Sequence, residues 1–415
     1  MAAPENAPFA LLRNSRKTGA PRRSGSAEFL SCMAARESAP FALLRNSRKT
    51  GRPAPLKYRE FLSFMAARET RPFALLCKRT VYYLTMNVGT IMAMAAALPA
   101  AMPAATPAVT IAAQRVSNDP LLKPAPPAWM EAGVFNPAAV IMNGKTVLLF
   151  RARDTQGTSR IGYAESTDGL HFQIDAQPVL EPATAYERKG GVEDPRVLRI
   201  GGTYYMTYTG YNGHDAQLCL ATSADLRHWR RRGVILPAYK GAWTTGWTKS
   251  GAIVPERIGG KWWMYYLGTR RDSDGKDRDY MGLANSDDLM HWSDATNQPV
   301  LDRRPGAFDS RVMEPGPPPL ITSEGILLLY NGANDKLIYG PGWVLFDKSD
   351  PRRVLARSER PFILPELTWE RVGSVPNVIF LEGAVARTSD PLDLTGYYGG
   401  ADRYVGAMRI RIKLR

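Results

Sequence analysis

Cysteine is scarce in this chain. Three occur in 415 residues, Cys32, Cys77 and Cys219, and no two form a CxxC pair. That excludes a disulfide framework and a cysteine-built zinc site. Histidine is as thin: His171, His214, His228 and His291 show no metal-ligand spacing, so no metal site is expected. His228 and His291 sit in matching contexts, "LRHW" and "LMHW", which points to repetition instead. Acidic residues are also few, 39 against 54 basic, for a net charge of +15. Eleven of those fifteen charges fall within residues 1–85. The rest of the chain is nearly balanced, so no nucleic-acid partner is implied for it.

What is present divides into two. "APFALLRNSRKTG" stands at Ala7–Gly19 and again at Ala39–Gly51, and "EFLSCMAARES" at Glu28 returns as "EFLSFMAARET" at Glu60, all offset by 32 residues. The copies are nearly identical, rich in Arg, Ser and Pro, and lack a recurring set of core positions. Residues 1–79 therefore read as a low-order basic leader rather than a solenoid. Residues 80–113 carry no charge and follow Lys78 and Arg79, the pattern of a secretory signal. Pro99, Pro103 and Pro107 argue against a continuous membrane helix there. The expectation is a secreted or periplasmic protein, with a cytoplasmic one as the alternative, and no stable membrane insertion after signal removal. Residues 114–129 read as a linker into a domain over 130–415.

That domain repeats a grammar rather than a sequence. A turn glycine precedes an aromatic-rich apolar run five times, at Gly144, Gly202, Gly260, Gly325 and Gly396, at intervals of 58, 58, 65 and 71. Shorter apolar runs precede these glycines. After three of them come "AESTDGLHF", "ATSADLRHW" and "ANSDDLMHW", whose Ser-x-Asp is a turn signal. Three or four short strands per unit suit a propeller blade. The fold class expected is all-β, a five-bladed β-propeller, with Tyr204, Tyr205, Trp262, Trp263 and Tyr265 packing between blades.

In a propeller the innermost strands line a central channel. Their entrances here are polar: Asn136 in the first unit, "GGVEDPRV" in the second, Lys249 and Ser250 in the third, Arg311 and Glu314 in the fourth, Asn377 and Glu382 in the fifth. Converging carboxylates, amides and cations suit recognition and cleavage of a sugar, which needs an acid for the leaving oxygen. Arg151 and Arg153 in "FRARD" are read as facing opposite sides of their strand, with one, Arg153, reaching the pocket. Asn212 is taken as a further substrate ligand.

Taken together, "GGVEDPRVLRIGGTYYMTYTGYNG", "LCLATSADLRHW", "KSGAIVPERIGGKWWMYY", "EPGPPPLITSEGILLLYNGAN" and "YYGGAD" resemble glycoside hydrolase family 130, which contains β-mannoside phosphorylases and β-mannosidases. The likeness runs from about Asn136 to Ile412. It implies that Asp194 is a general acid, its proton passing through a hydroxyl of the bound sugar in phosphorylases. It also implies that Arg196 and Asp402 bind the glycone.

Two chemistries compete. Glu314 stands where phosphorylases of the family often carry a glycine-rich segment, so hydrolysis is expected, with Glu314 as base and Glu382 assisting. The alternative is phosphorolysis, which needs converging cations for inorganic phosphate as co-substrate. Lys249, Arg270 and Arg271 are the candidates, with Lys276 and Arg278 nearby. No other cofactor is expected. A non-catalytic oligosaccharide-binding propeller is the third reading. Oligomeric state is not written in these motifs.

Overall fold

The computed structural model describes residues 73–77, 80–84 and 109–415, and it divides the chain into two units, Met1–Pro103 and Ala104–Arg415. In the first unit the strands Phe73–Cys77 and Thr80–Leu84 pair antiparallel. The rest of the expected leader, and most of the signal-like segment, lie outside the described residues.

The second unit is built almost wholly of antiparallel sheet. Gly133–Met142, Lys145–Arg153, Ser159–Ser166 and Gln173–Ile174 form the first blade. Gly191–Ile200, Thr203–Tyr211, Ala216–Ser223 and Arg230–Leu236 form the second. One parallel bridge, Ser159 to Gly191, joins the two. Thr248–Ile253, Trp262–Arg271, Asp277–Ser286 and Ser293–Asp294 make the third. In the fourth, the inner strand is split into Val312–Pro315 and Leu320–Ile321 before Ile326–Ala333, Tyr339–Phe346 and Val354–Arg357. The split falls on "GPPP", since proline has no N–H for a ladder.

The fifth blade holds a departure from expectation. Ile379–Ala386, Asp393–Gly400 and Tyr404–Leu414 are completed by Val109–Arg115 as outer strand. The domain therefore begins by residue 109, not 130, and the end of the apolar segment is structural. Its alternating burial is that of a strand with one covered face. Arg115 locks it in place, donating to Glu370 through Nε (2.7 Å) and Nη2 (2.8 Å).

Apolar side chains fill the spaces between successive blades. Val147, Leu149 and Tyr163 pack with Met206, Tyr208 and Cys219. Leu218 and Leu220 meet Met264 and Tyr265, which in turn meet Leu328 and Phe346. Leu327 and Leu329 pack with Leu381 and Tyr398. Leu148 and Phe150 pack with Tyr397 and Ala407, so the fifth blade covers the first and the circle closes. Each such ring or branched chain contributes about 1.5–3 kcal/mol by leaving water. The expected aromatics belong to these layers: Tyr204 and Tyr265 are buried within them, and Tyr205, Trp262 and Trp263 pack against them. The three Ser-x-Asp turns are superimposable in their bonding: Asp168, Asp225 and Asp288 each accept the backbone N–H of the histidine three residues on and meet its Nδ1.

Candidate active site

Three inner strands break register at one equivalent place. The breaks fall between Phe135 and Pro137, Glu193 and Arg196, and Lys249 and Ala252. Inside each lies a short polar residue in the left-handed region: Asn136 at φ 48°, Asp194 at φ 51°, Ser250 at φ 59°. Asn and Asp enter that region far more readily than branched residues do. A bulge re-aims a side chain out of the strand's alternation. Here Asn136 and Asp194 meet across adjacent blades, Nδ2 to Oδ1 at 2.9 Å, and Ser250 donates to Glu314 Oε1 on the fourth blade. The fifth inner strand shifts register at Glu382. The polar entrances expected from the sequence thus converge through repeated bulges.

Arg151 ties the "EDPR" carboxylates together. It donates to Glu193 Oε1 (2.6 Å), Asp194 Oδ1 (3.1 Å) and Ser159 Oγ (3.0 Å), with its guanidinium 4.8 Å from the Phe135 ring centre. Burial pushes both acids up. For Asp194, the charges of Arg151 and Lys249 and the Asn136 bond outweigh it, leaving the carboxyl below its ordinary value. For Glu193, burial and the neighbouring Asp194 charge outweigh Arg151, and its carboxyl is raised.

Across the funnel, Lys249 Nζ lies 3.2 Å from Glu314 Oε1. Burial disfavours the ammonium, but Glu314, Asp194 and Asp279 hold its pKa above the usual lysine value. Asp279 accepts from Thr269 Oγ1 at 2.6 Å and is raised by burial. Tyr339 is raised by burial and by Glu314 beside it. Glu382 is fully buried and raised well above its ordinary value by burial, against the pull of Arg196. Its Oε2 has no protein hydrogen-bond partner, and neither has Asn136 Oδ1.

Not every expected residue reaches the funnel. Arg196 is 1% exposed in its side chain and donates to Glu382 (3.2 Å) and to the carbonyls of Asp194, Pro315 and Gly316. It braces the blades behind the site rather than presenting a fork to sugar. Arg151 and Arg153, two apart on one strand, share a face, because alternation has period two. Both lie over the Phe135 ring. Arg153 sits outward, donating to Ser374 Oγ, with Arg151, Arg403 and Asp402 acting on its charge. Asn212 caps a turn, its Oδ1 accepting from the N–H groups of His214 (2.8 Å) and Asp215 (2.7 Å). Arg270 pairs with Asp272, Arg271 with Asp277, and Arg278 with both Asp272 and Asp274. That hairpin is largely self-neutralised, which argues against its being a phosphate clamp. Asp402 (φ 50°) joins the group; burial raises it to about 6, against the charge of Arg151.

Sequence reasoning missed Asp279 and Tyr339. Asp279 was hidden in the charge-rich "RRDSDGKDRDY". Its register opposite Thr269, on the strand paired to Lys249, is what distinguishes it from the solvated acids around it.

A propeller whose axial funnel gathers Asp194, Glu314, Glu382 and Asp402 with Arg151 and Lys249 is the architecture of an enzyme acting on glycosides. The family model described as beta-1,4-mannooligosaccharide phosphorylase matches residues 112–414. The chain belongs to glycoside hydrolase family 130. It is 38% identical over 314 residues to a 1,2-beta-oligomannan phosphorylase of Thermoanaerobacter sp., covering 73% of this chain and 98% of that one. A Beta-1,2-mannobiose phosphorylase of the same organism is 33% identical, covering 70% and 95%. Among solved structures, one described as showing that the family of mannoside phosphorylases contains glycoside hydrolases that target beta-1,2 mannosidic linkages in Candida mannan is 33% identical. Its TM-score is 0.64, and the match covers 74% of this chain and 95% of that one.

Proposed function

We propose that the protein is a phosphorylase of β-1,2-linked manno-oligosaccharides. The glycosidic C1–O bond breaks, a phosphate oxygen bonds to C1 with inversion, and the leaving oxygen takes a proton from Asp194. The products are mannose 1-phosphate and a shortened oligosaccharide. Likeness to a 1,2-beta-oligomannan phosphorylase over nearly its whole length supports phosphorolysis above the hydrolysis expected from the sequence. The observation in the site that carries the reading is the Lys249–Glu314 pair. A carboxylate already held by an ammonium and by Ser250 is a poor base for water. An ammonium only partly enclosed, 25% exposed in its side chain, is suited to a phosphate oxygen.

The field in the funnel fits the order of events. Arg151 and Lys249 keep Asp194 ionised in the free protein. A phosphate dianion beside Lys249 offsets part of that field and so raises the proton affinity of the acid as the co-substrate arrives. Asp402 flanks the glycone in this reading.

Hydrolysis is the second reading, favoured by the 33%-identical solved structure described with hydrolases. One assay separates them: β-1,2-mannobiose and longer chains incubated with and without inorganic phosphate. Mannose 1-phosphate formed only with phosphate is the expected result. Free mannose at a rate independent of phosphate would overturn it.

A further inference from the structure

Beside the funnel, the rim between the second and third blades carries aromatic rings that bond cleavage does not use. Tyr211 ends the strand Thr203–Tyr211, and Trp247 stands just before Thr248–Ile253. Their ring centres are 5.8 Å apart and their planes 58° apart. Trp247 is 37% exposed and Tyr239 51% exposed. Large rings are seldom left in water in a group without a partner.

Three observations aim this group at the site. The Trp247 carbonyl accepts from Thr269 N–H (2.9 Å), extending the ladder, so Trp247 and Lys249 share one face of that strand. Thr248 between them is buried, bonded to Leu218 N–H and the Leu236 carbonyl. The Tyr211 ring lies over Gly190, where a Cβ would meet a ring carbon at 2.1 Å. Gly190 opens the segment that carries Asp194. Both Glu193 and Arg151 act on the Tyr211 hydroxyl. The outer end is fixed as well: the Tyr239 hydroxyl donates to Asp215 (2.9 Å), and Asp215 belongs to the turn capped by Asn212.

We infer that Tyr211 and Trp247, continued by Tyr239, form a stacking platform for mannosyl units of the substrate beyond the scissile linkage, so that the enzyme selects oligosaccharides over the disaccharide. Aromatic faces receive the C–H faces of sugar rings without needing charge, and Asp215 supplies a carboxylate for hydroxyls at the outer end. The inference rests on the proposed cleavage of β-mannosides.

The test compares kcat/KM for β-1,2-mannotetraose and β-1,2-mannobiose, counting mannose and mannose 1-phosphate together so that the nucleophile does not matter. The wild type is expected to favour the tetraose. Trp247→Ala is expected to lower the tetraose-to-biose ratio at least about tenfold, mainly through KM, and Trp247→Phe to restore most of it. Equal use of both lengths by the wild type, or an equal loss on both in the variant, overturns the platform. If Trp247→Ala does not fold, Tyr211→Leu replaces it. If no β-mannoside is turned over, the proposed function fails on its own. Tryptophan fluorescence then decides the platform: tetraose quenches the wild type and not Trp247→Phe if it stands, and quenches both alike or neither if it falls.

Discussion

Lys249 and Ser250, consecutive in the chain, converge on one oxygen of Glu314, the ammonium at 3.2 Å and the hydroxyl in a hydrogen bond. Neighbouring residues of a regular strand point to opposite faces. The register break between Lys249 and Ala252, with Ser250 at φ 59°, turns both toward the same carboxylate. An acid that reads as a free base in the sequence is, in the fold, half of an ion pair.

Glu314→Gln follows from that pairing. It keeps the shape and the Ser250 contact and leaves the ammonium for phosphate. Phosphorolysis should fall no more than about tenfold, with KM for phosphate unchanged or lower, measured by mannose 1-phosphate release. A loss of about 10³-fold or more is the size expected of a general base and would return Glu314 to that role. Lys249→Met should raise KM for phosphate by about 10²-fold with a smaller effect on KM for the oligosaccharide.

Asp194→Asn tests the acid. Asn tolerates φ 51° at least as well as Asp, so the bulge survives. Turnover of β-mannosides should drop by about 10³-fold while oligosaccharide binding, followed by calorimetry, persists. An unchanged rate would leave the protein a proton donor elsewhere.

The order of the first four blades was legible because the turn glycines Gly144, Gly202, Gly260 and Gly325 recur and three of these blades add a Ser-x-Asp turn, both local chemistry; in the fifth, Gly396 lies inside the strand Asp393–Gly400 and marks no turn. The polar entrances were legible for the same reason. Two things were not. The strand Val109–Arg115 pairs with Tyr404–Leu414, some 300 residues away in the chain, and its alternation is masked by alanine and by the apolar run before it. The division of labour among charged groups depends on contacts between blades: Arg196 and Asp194 share one motif, yet Arg196 braces Glu382 and the Pro315–Gly316 carbonyls. Only the closed ring brings residues 196, 316 and 382 together.

Asp402 gives a pH signature. Burial raises its folded value to about 6, above the unfolded carboxylate value of about 3.9. The folded state therefore binds that proton more tightly. The stabilisation it brings is complete below pH ~4 and is lost as pH rises through about 6. Relative to Asp402→Asn, which has no such proton, the wild type should lose stability across this window and run parallel above it. Thermal melting of both proteins from pH 4 to 8 checks this; a constant difference in Tm throughout would mean that Asp402 titrates normally.

Arg115→Leu tests the closing strand. Glu370 is fully buried, and its carboxylate is held below its ordinary value against burial by Arg115 first, then by backbone N–H groups and the Tyr398 hydroxyl. Removing the guanidinium leaves a buried charge without its counter-ion, a loss of about 3–5 kcal/mol. The outer strand of the fifth blade loses its lock in the same step. Urea unfolding should show a lower midpoint for Arg115→Leu, and a chain beginning after residue 115 should be less stable still, because it also forfeits the ladder to Tyr404–Leu414. A chain beginning at residue 104 keeps the strand and should unfold like the full-length domain. If the version lacking residues 109–115 matched it, the strand would be an accessory to a ring that closes without it.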